Sequence, residues 1–255
     1  MTVTKRWTPE QLQVALNLYC QIPFGKLDSR NPKIIHWAGR IGRTPGALAM
    51  KLVNLASLDP VITGTGRSGL ANASALDRKM WEEMQDNWDA FVENSEKVMQ
   101  SLSGNSPAPD PFLPPVPDEY HGGTRLVPTR VRIGQAFFRQ SVISAYDGKC
   151  CITGLSIPKL LIASHIIPWK DDESNRLNPR NGLALSMLHD KAFDAGMITI
   201  AENMTVRVSR QEAEREDPFF NESIRSFDGT EITLPGKFSP DPEFLAYHRE
   251  RIFEQ

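Results

Sequence analysis

Three cysteines in 255 residues, two of them adjacent at Cys150 and Cys151, cannot build a disulfide framework. No second cysteine pair is there to complete a zinc knuckle. The adjacent pair reads as packing within a strand. No apolar run is long enough to span a bilayer, and the opening MTVTKRWTPEQ lacks the apolar stretch of a signal peptide. A cytoplasmic chain with no membrane partner is the expectation. The glycine-rich stretch 63–69 lacks the lysine of a phosphate-cradling loop and reads as a flexible arm. There is no internal repeat. A large net charge is also missing, the total being −2. That balance conceals an uneven distribution. Residues 1–60 carry +5, 61–120 carry −6, 121–200 carry +4 and 201–255 carry −5. Phosphate binding responds to local charge, not to the total. The two basic blocks hold the motifs described next.

The length allows two small domains. Near the N-terminus, Thr8-Pro9, Asn31-Pro32 and Thr44-Pro45 each set a capping side chain before a proline. Proline suits a first helical position, where its missing N–H costs nothing. Three helices are predicted from these starts. The first turns Leu12, Ala15, Leu16 and Tyr19 inward. The second shows Ile34, Ile35, Trp37, Ala38 and Ile41, and the third turns Leu48, Leu52 and Leu55 inward. Gly42 permits the tight turn between the last two, which gives helix-turn-helix connectivity. Ser74 and Asp77 have capping-box spacing, and open a further helix through Trp81, Met84, Trp88 and Phe91 that fades near Met99. Residues 101–123 are rich in proline and serine and read as a linker. The expected division is a helical domain over 1–100, that linker, and a second domain over 124–255.

The second domain opens on a predicted helix over 132–146. A strand is predicted at 150–153 and another at 160–167, followed by a polar loop with an Asn178-Pro179 turn. A short helix over 188–195 comes next, and a strand at 197–200 pairs with 206–208. Asp241-Pro242 caps a last helix. The fold class is α+β. Along this stretch runs an ordered series of residues: Cys150-Cys151-Ile152-Thr153-Gly154, then Ala163-Ser164-His165-Ile166-Ile167-Pro168, then Asn181-Gly182-Leu183, then His189-Asp190-Lys191-Ala192-Phe193-Asp194-Ala195-Gly196. Asp190 and Asp194 stand at i and i+4, so both carboxylates project from one helix face. His189 lies about 100° round the same helix.

This series resembles the HNH (ββα-metal, His-Me finger) endonuclease superfamily, in particular the subgroup reading CxITG…AxHIxPW…NGLxLxxxHDxxFDxG. The likeness reaches Phe137-Phe138-Arg139 upstream and Tyr247-His248-Arg249-Glu250 downstream. It implies two strands and a helix around one divalent cation. It assigns His165 as general base, for which a side chain of ordinary pKa about 6.5 is suited near neutral pH. It assigns Asn181 to orienting the loop and the His165 backbone, and it places metal ligands nine and thirteen residues after the asparagine, at Asp190 and Asp194. His189 competes with Asp190 for the second ligand position and is a further catalytic candidate. Ser164 departs from the pattern, since many members carry Asp or His there as a ligand. A carboxylate-rich site favours Mg²⁺ or Mn²⁺.

Lys170, Arg176 and Arg180 are candidate phosphate clamps, and Trp169 a buttress for the loop. His121 and His248 receive no role. In the N-terminal half, Arg40 and Arg43 are candidate phosphate contacts, and Lys51 and Asn54 candidate readers of base edges in the major groove. The stretch Ile41 to Leu48 also resembles the turn of Myb/SANT-like and homeodomain-like three-helix folds. Together these readings imply a metal-dependent DNA endonuclease of the restriction or defence class. It would act on double-stranded DNA, as a homodimer, with modified bases as possible targets. The alternative is a DNA-binding regulator on a catalytically weak scaffold.

Overall fold

A computed structural model describes residues 6–64, 72–103, 129–213 and 216–254. Its helices and strands fall into two units, Met1–Ser141 and Val142–Gln255. The linker expected at 101–123 lies, beyond its first three residues, outside the described residues, as does most of the glycine-rich stretch and His121.

The first unit is helical. It contains α1 (Pro9–Gln21), α2 (Pro32–Arg40), α3 (Pro45–Ala56), α4 (Pro60–Gly64), α5 (Ala75–Asp86) and α6 (Trp88–Ser103). Helix α7 (Thr129–Ala145) begins in this unit. The three Thr/Asn-Pro starts all form caps: Thr8 accepts from Gln11 N, Asn31 from Lys33 N and Thr44 from Ala47 N. These bonds satisfy donors that a helix cannot pair internally, which is why short polar side chains set the boundaries. The helix predicted from Ser74 is two helices. Asn87 leaves helical geometry and its side chain accepts from Ala90 N, so it ends α5 and caps α6. Helix α1 packs on α2, α3, α5 and α6, and Leu12, Leu16, Tyr19, Leu48, Leu52 and Leu55 are all buried. Phe137 of α7 packs against Trp88 and Phe91 in this core.

The second unit holds β1 (Leu161–His165), β2 (Gly182–Ser186), α8 (Met187–Asp194), β3 (Ile198–Ile200), β4 (Val206–Val208), α9 (Arg210–Ala213), α10 (Pro218–Ser223) and α11 (Pro242–Arg251). β1 and β2 are antiparallel with His165 opposite Gly182, and β3 pairs antiparallel with β4. The strand expected at 150–153 is instead a turn. Gly148 and Gly154 sit at positive φ, and Gly154 N bonds back to Cys150 O at 2.9 Å. Cys151 still meets the hairpin through its N–H to Ala184 O, at 2.8 Å. Both cysteines are buried free thiols. The strand expected over 160–167 stops at His165, because the N–H groups of Ile166 and Ile167 turn to the Asn181 main-chain and side-chain oxygens.

Candidate active site

The hairpin and α8 form the site. Ser186 ends β2 and caps α8 by accepting from His189 N, so strand passes to helix without a loop. Asn181 holds the other end. It is buried, and its side-chain oxygen accepts from Ile167 N at 2.8 Å. Its amide nitrogen donates to Ile167 O at 3.2 Å and to Asn175 O at 3.3 Å. Only an amide offers a donor and an acceptor in one plane for this clamp. The chain just after His165 is thereby pinned to the start of β2.

The imidazole of His165 is held from the intervening loop. Its Nε2 lies 2.9 Å from the carbonyl of Arg176. A carbonyl can only accept, so Nε2 carries a proton, which in the neutral ring leaves the lone pair on Nδ1. Arg176 is fixed in turn by its Nε donating to Trp169 O at 2.7 Å, with its guanidinium 5.2 Å from the centre of the Trp169 ring. Trp169 meets the His165 ring edge-on at 5.5 Å. Trp169 thus buttresses the loop. The carbonyl of Arg176 had no signal in the sequence, because any residue supplies one.

Asp190 and Asp194 share a face of α8. Asp190 is buried, and its carboxyl is raised above the usual carboxylate range by that burial and by the neighbouring charge of Asp194; the Ser164 hydroxyl and Lys191 pull the other way. Lys191 bridges the pair, with Nζ 3.5 Å from Asp190 Oδ2 and 3.4 Å from Asp194 Oδ2. Burial opposes the Lys191 ammonium, but the two aspartates outweigh it and raise its pKa. Sequence reasoning passed over Lys191. Its placement one residue after one aspartate and three before the other was the available signal.

His189 has its own contacts. Its Nδ1 pairs with Ser186 Oγ at 2.8 Å and its ring meets Phe227 edge-on at 5.3 Å. Burial lowers its pKa, against the opposing effect of the Ser223 backbone. Lys191 ties Asp190 to Asp194, while His189 bonds to Ser186 and keeps a buried Nε2 without a hydrogen-bond partner of good geometry. The rotation of about 100° between adjacent helical residues sets His189 and Asp190 apart.

The expected phosphate contacts are redistributed. Lys170 is exposed. Arg176 is spent on the loop, and Arg180 pairs with Asp241 at 3.0 Å beside the cap of α11. In the first unit Lys51 is no base reader: it is buried, with Nζ 2.8 Å from the Asp77 carboxylate. Asn54 is half-buried with its side-chain oxygen turned inside. The exposed part of α3 is instead Gly46 and Met50. Arg43 donates to Arg6 O at 2.6 Å and to Gln11 at 2.8 Å, with its guanidinium 4.6 Å from the Trp7 ring centre. Arg40 is exposed and donates to Leu102 O at 3.0 Å.

His248, given no role by the sequence, ties the site to α11. Nε2 donates to Phe193 O at 3.1 Å, Nδ1 accepts from Thr199 Oγ1 at 2.9 Å, and the ring stacks on Phe193 at 3.6 Å. Burial lowers its pKa to about 4.

The donor set suits a hard divalent cation. It offers two carboxylate oxygens on one face and the buried Ser164 hydroxyl, whose oxygen has no hydrogen-bond partner of good geometry. Among the described residues no three His, Cys, Asp or Glu side chains form a ready-made metal group, so these oxygens supply only part of a coordination shell. No curated protein matches the chain. The family described as HNH_2, HNH endonuclease, matches residues 150–201, about a fifth of the chain and the segment containing the hairpin and α8. The chain therefore carries an HNH endonuclease domain, the domain of a nuclease that hydrolyses phosphodiesters.

Proposed function

We propose that this protein is a metal-dependent DNA endonuclease of the restriction or defence class, with His165 as general base and Asp190 and Asp194 as cation ligands. The observation that carries the reading is the hydrogen bond from His165 Nε2 to the Arg176 carbonyl, on a loop clamped by Asn181. It leaves Nδ1 as the basic nitrogen. Nδ1 takes a proton from water, the water oxygen attacks phosphorus, and the 3′ oxygen leaves. Asn181 is a positioning residue. It keeps the imidazole from drifting, and a misplacement of one ångström is costly in such steps. A divalent cation, when bound, supplies charge stabilisation for the phosphoryl oxygens and the leaving oxygen. Mg²⁺ or Mn²⁺ suits two carboxylates and a hydroxyl, with solvent completing the shell.

Selection of the DNA site belongs to the helical N-terminal unit. Its support is the net charge of +5 over residues 1–60 and the exposed Arg40 at the end of α2. One site of this type cuts one strand, so a double-strand break calls for a homodimer. No helix among the described residues is long and apolar enough to cross a membrane.

A plasmid-nicking assay with Mg²⁺ or Mn²⁺, with and without EDTA, tests the reading. Nicking should require the cation and vanish in His165→Ala, while DNA binding survives. Undiminished metal-dependent nicking by that variant refutes the base assignment. Ser164, a hydroxyl where many members have a ligand, supports one other reading, a DNA-binding regulator; binding without any nicking by the parent protein would establish it. Matched unmodified, 5-methylcytosine and 5-hydroxymethylcytosine substrates then define the target.

A further inference from the structure

We propose that Lys191 is a tethered counter-ion of the Asp190–Asp194 pair, which a divalent cation must displace in order to bind. This rests on the assignment of those two aspartates as cation ligands. A single ammonium spans both carboxylates, at 3.5 Å and 3.4 Å. It reaches them from the same helix turn, so no other element has to move to bring it there. A cation gripped by the same oxygens would lie within a few ångströms of that ammonium, and like charges at such separations repel. The two cannot share the pair.

Two further features make the exchange feasible. The Lys191 side chain is 78 % exposed, so solvent can receive the ammonium when it leaves. The Ser164 hydroxyl is 2 % exposed, lies against Asp190 and has no hydrogen-bond partner of good geometry. It sits on β1, a separate element from α8, and holds an oxygen donor beside Asp190. The lysine thus keeps two neighbouring carboxylates compatible in the absence of metal. It also lowers the affinity they would otherwise show, so that the site loads only when divalent cation is plentiful.

The test is a Mn²⁺ titration of the full chain without DNA, following free Mn²⁺ by electron paramagnetic resonance. Lys191→Gln should bind Mn²⁺ about three- to tenfold more tightly, the range set by losing two partly exposed ion pairs. Lys191→Arg, which keeps the charge, should bind as the parent does. Asp194→Asn should bind much more weakly. Unchanged or weaker Mn²⁺ binding in Lys191→Gln, with binding lost in Asp194→Asn, overturns the role of Lys191 and leaves the cation site standing. Absence of Mn²⁺ binding in the parent and in Lys191→Gln alike overturns both.

Discussion

His248 should make the second unit sensitive to mild acid. Its ring is buried between α11 and the end of α8, and its folded pKa is lowered to about 4. An unfolded chain would restore a value of about 6.5. The folded state therefore prefers the neutral ring. Stability contributed above about pH 6.5 is lost as the pH falls toward the folded value, because the unfolded chain takes up the proton first. The complete loss amounts to about 3 kcal/mol, and about 2 kcal/mol of it is reached by about pH 5. The physical origin is visible in the contacts: Nδ1 accepts from Thr199, so a proton on that nitrogen has to displace the hydroxyl hydrogen. The perturbation is His248→Gln, which removes the titrating group but keeps polar atoms near Thr199 and the Phe193 carbonyl. At about pH 7.5 the variant should be less stable by about 1–2 kcal/mol through weakened hydrogen bonds. At about pH 5 the parent should have lost most of that advantage or fallen below the variant. Urea unfolding of both full-length proteins at the two pH values measures the gap. An equal gap at both refutes the argument, since it would mean that His248 is not protonated preferentially on unfolding.

Gly196→Ala should destabilise by about 2 kcal/mol or more, seen in the same urea titration, because a left-handed backbone costs an L-residue about 1–2 kcal/mol before any clash. Gly196 has φ +74°, and an added Cβ would run into the Ile252 carbonyl at the end of α11; unchanged stability would show that this end moves aside freely. Lys51→Met should cost about 3–5 kcal/mol by leaving the Asp77 carboxylate buried without its cation. A loss of DNA affinity with unchanged stability would instead restore Lys51 to the DNA-contacting role that its sequence position suggested.

The helix starts were legible residue by residue. Thr8, Asn31, Thr44, Ser74 and Asp241 all cap as their spacing implied, because a cap is a bond between residues two or three apart. The break at Asn87 obeys the same chemistry and was missed because Trp81, Met84, Trp88 and Phe91 keep helical spacing across it. Helix α8 and the first strand of the hairpin were legible; the second strand, β2, was not, since Gly182–Ser186 becomes a strand only by pairing with β1 across the intervening loop. The turn at Cys150 was not, since whether an apolar pair forms a strand depends on which distant backbone receives its N–H groups. Lys51 was misplaced for a related reason. Its helix was correctly read, yet Asp77, which neutralises it, arrives from a separate helix.

The order of the residues alone determined the capped helix starts, the α+β class and the HNH motif along residues 150–201, since caps and motif spacing are written within a few positions of the chain. Folding decided which nitrogen of His165 meets the Arg176 carbonyl, that the His189 ring meets Phe227 while Lys191 ties Asp190 to Asp194, and that Arg176 and Arg180 serve the scaffold. Those outcomes follow from side-chain direction and from partners brought together across the chain, and no local spacing encodes them.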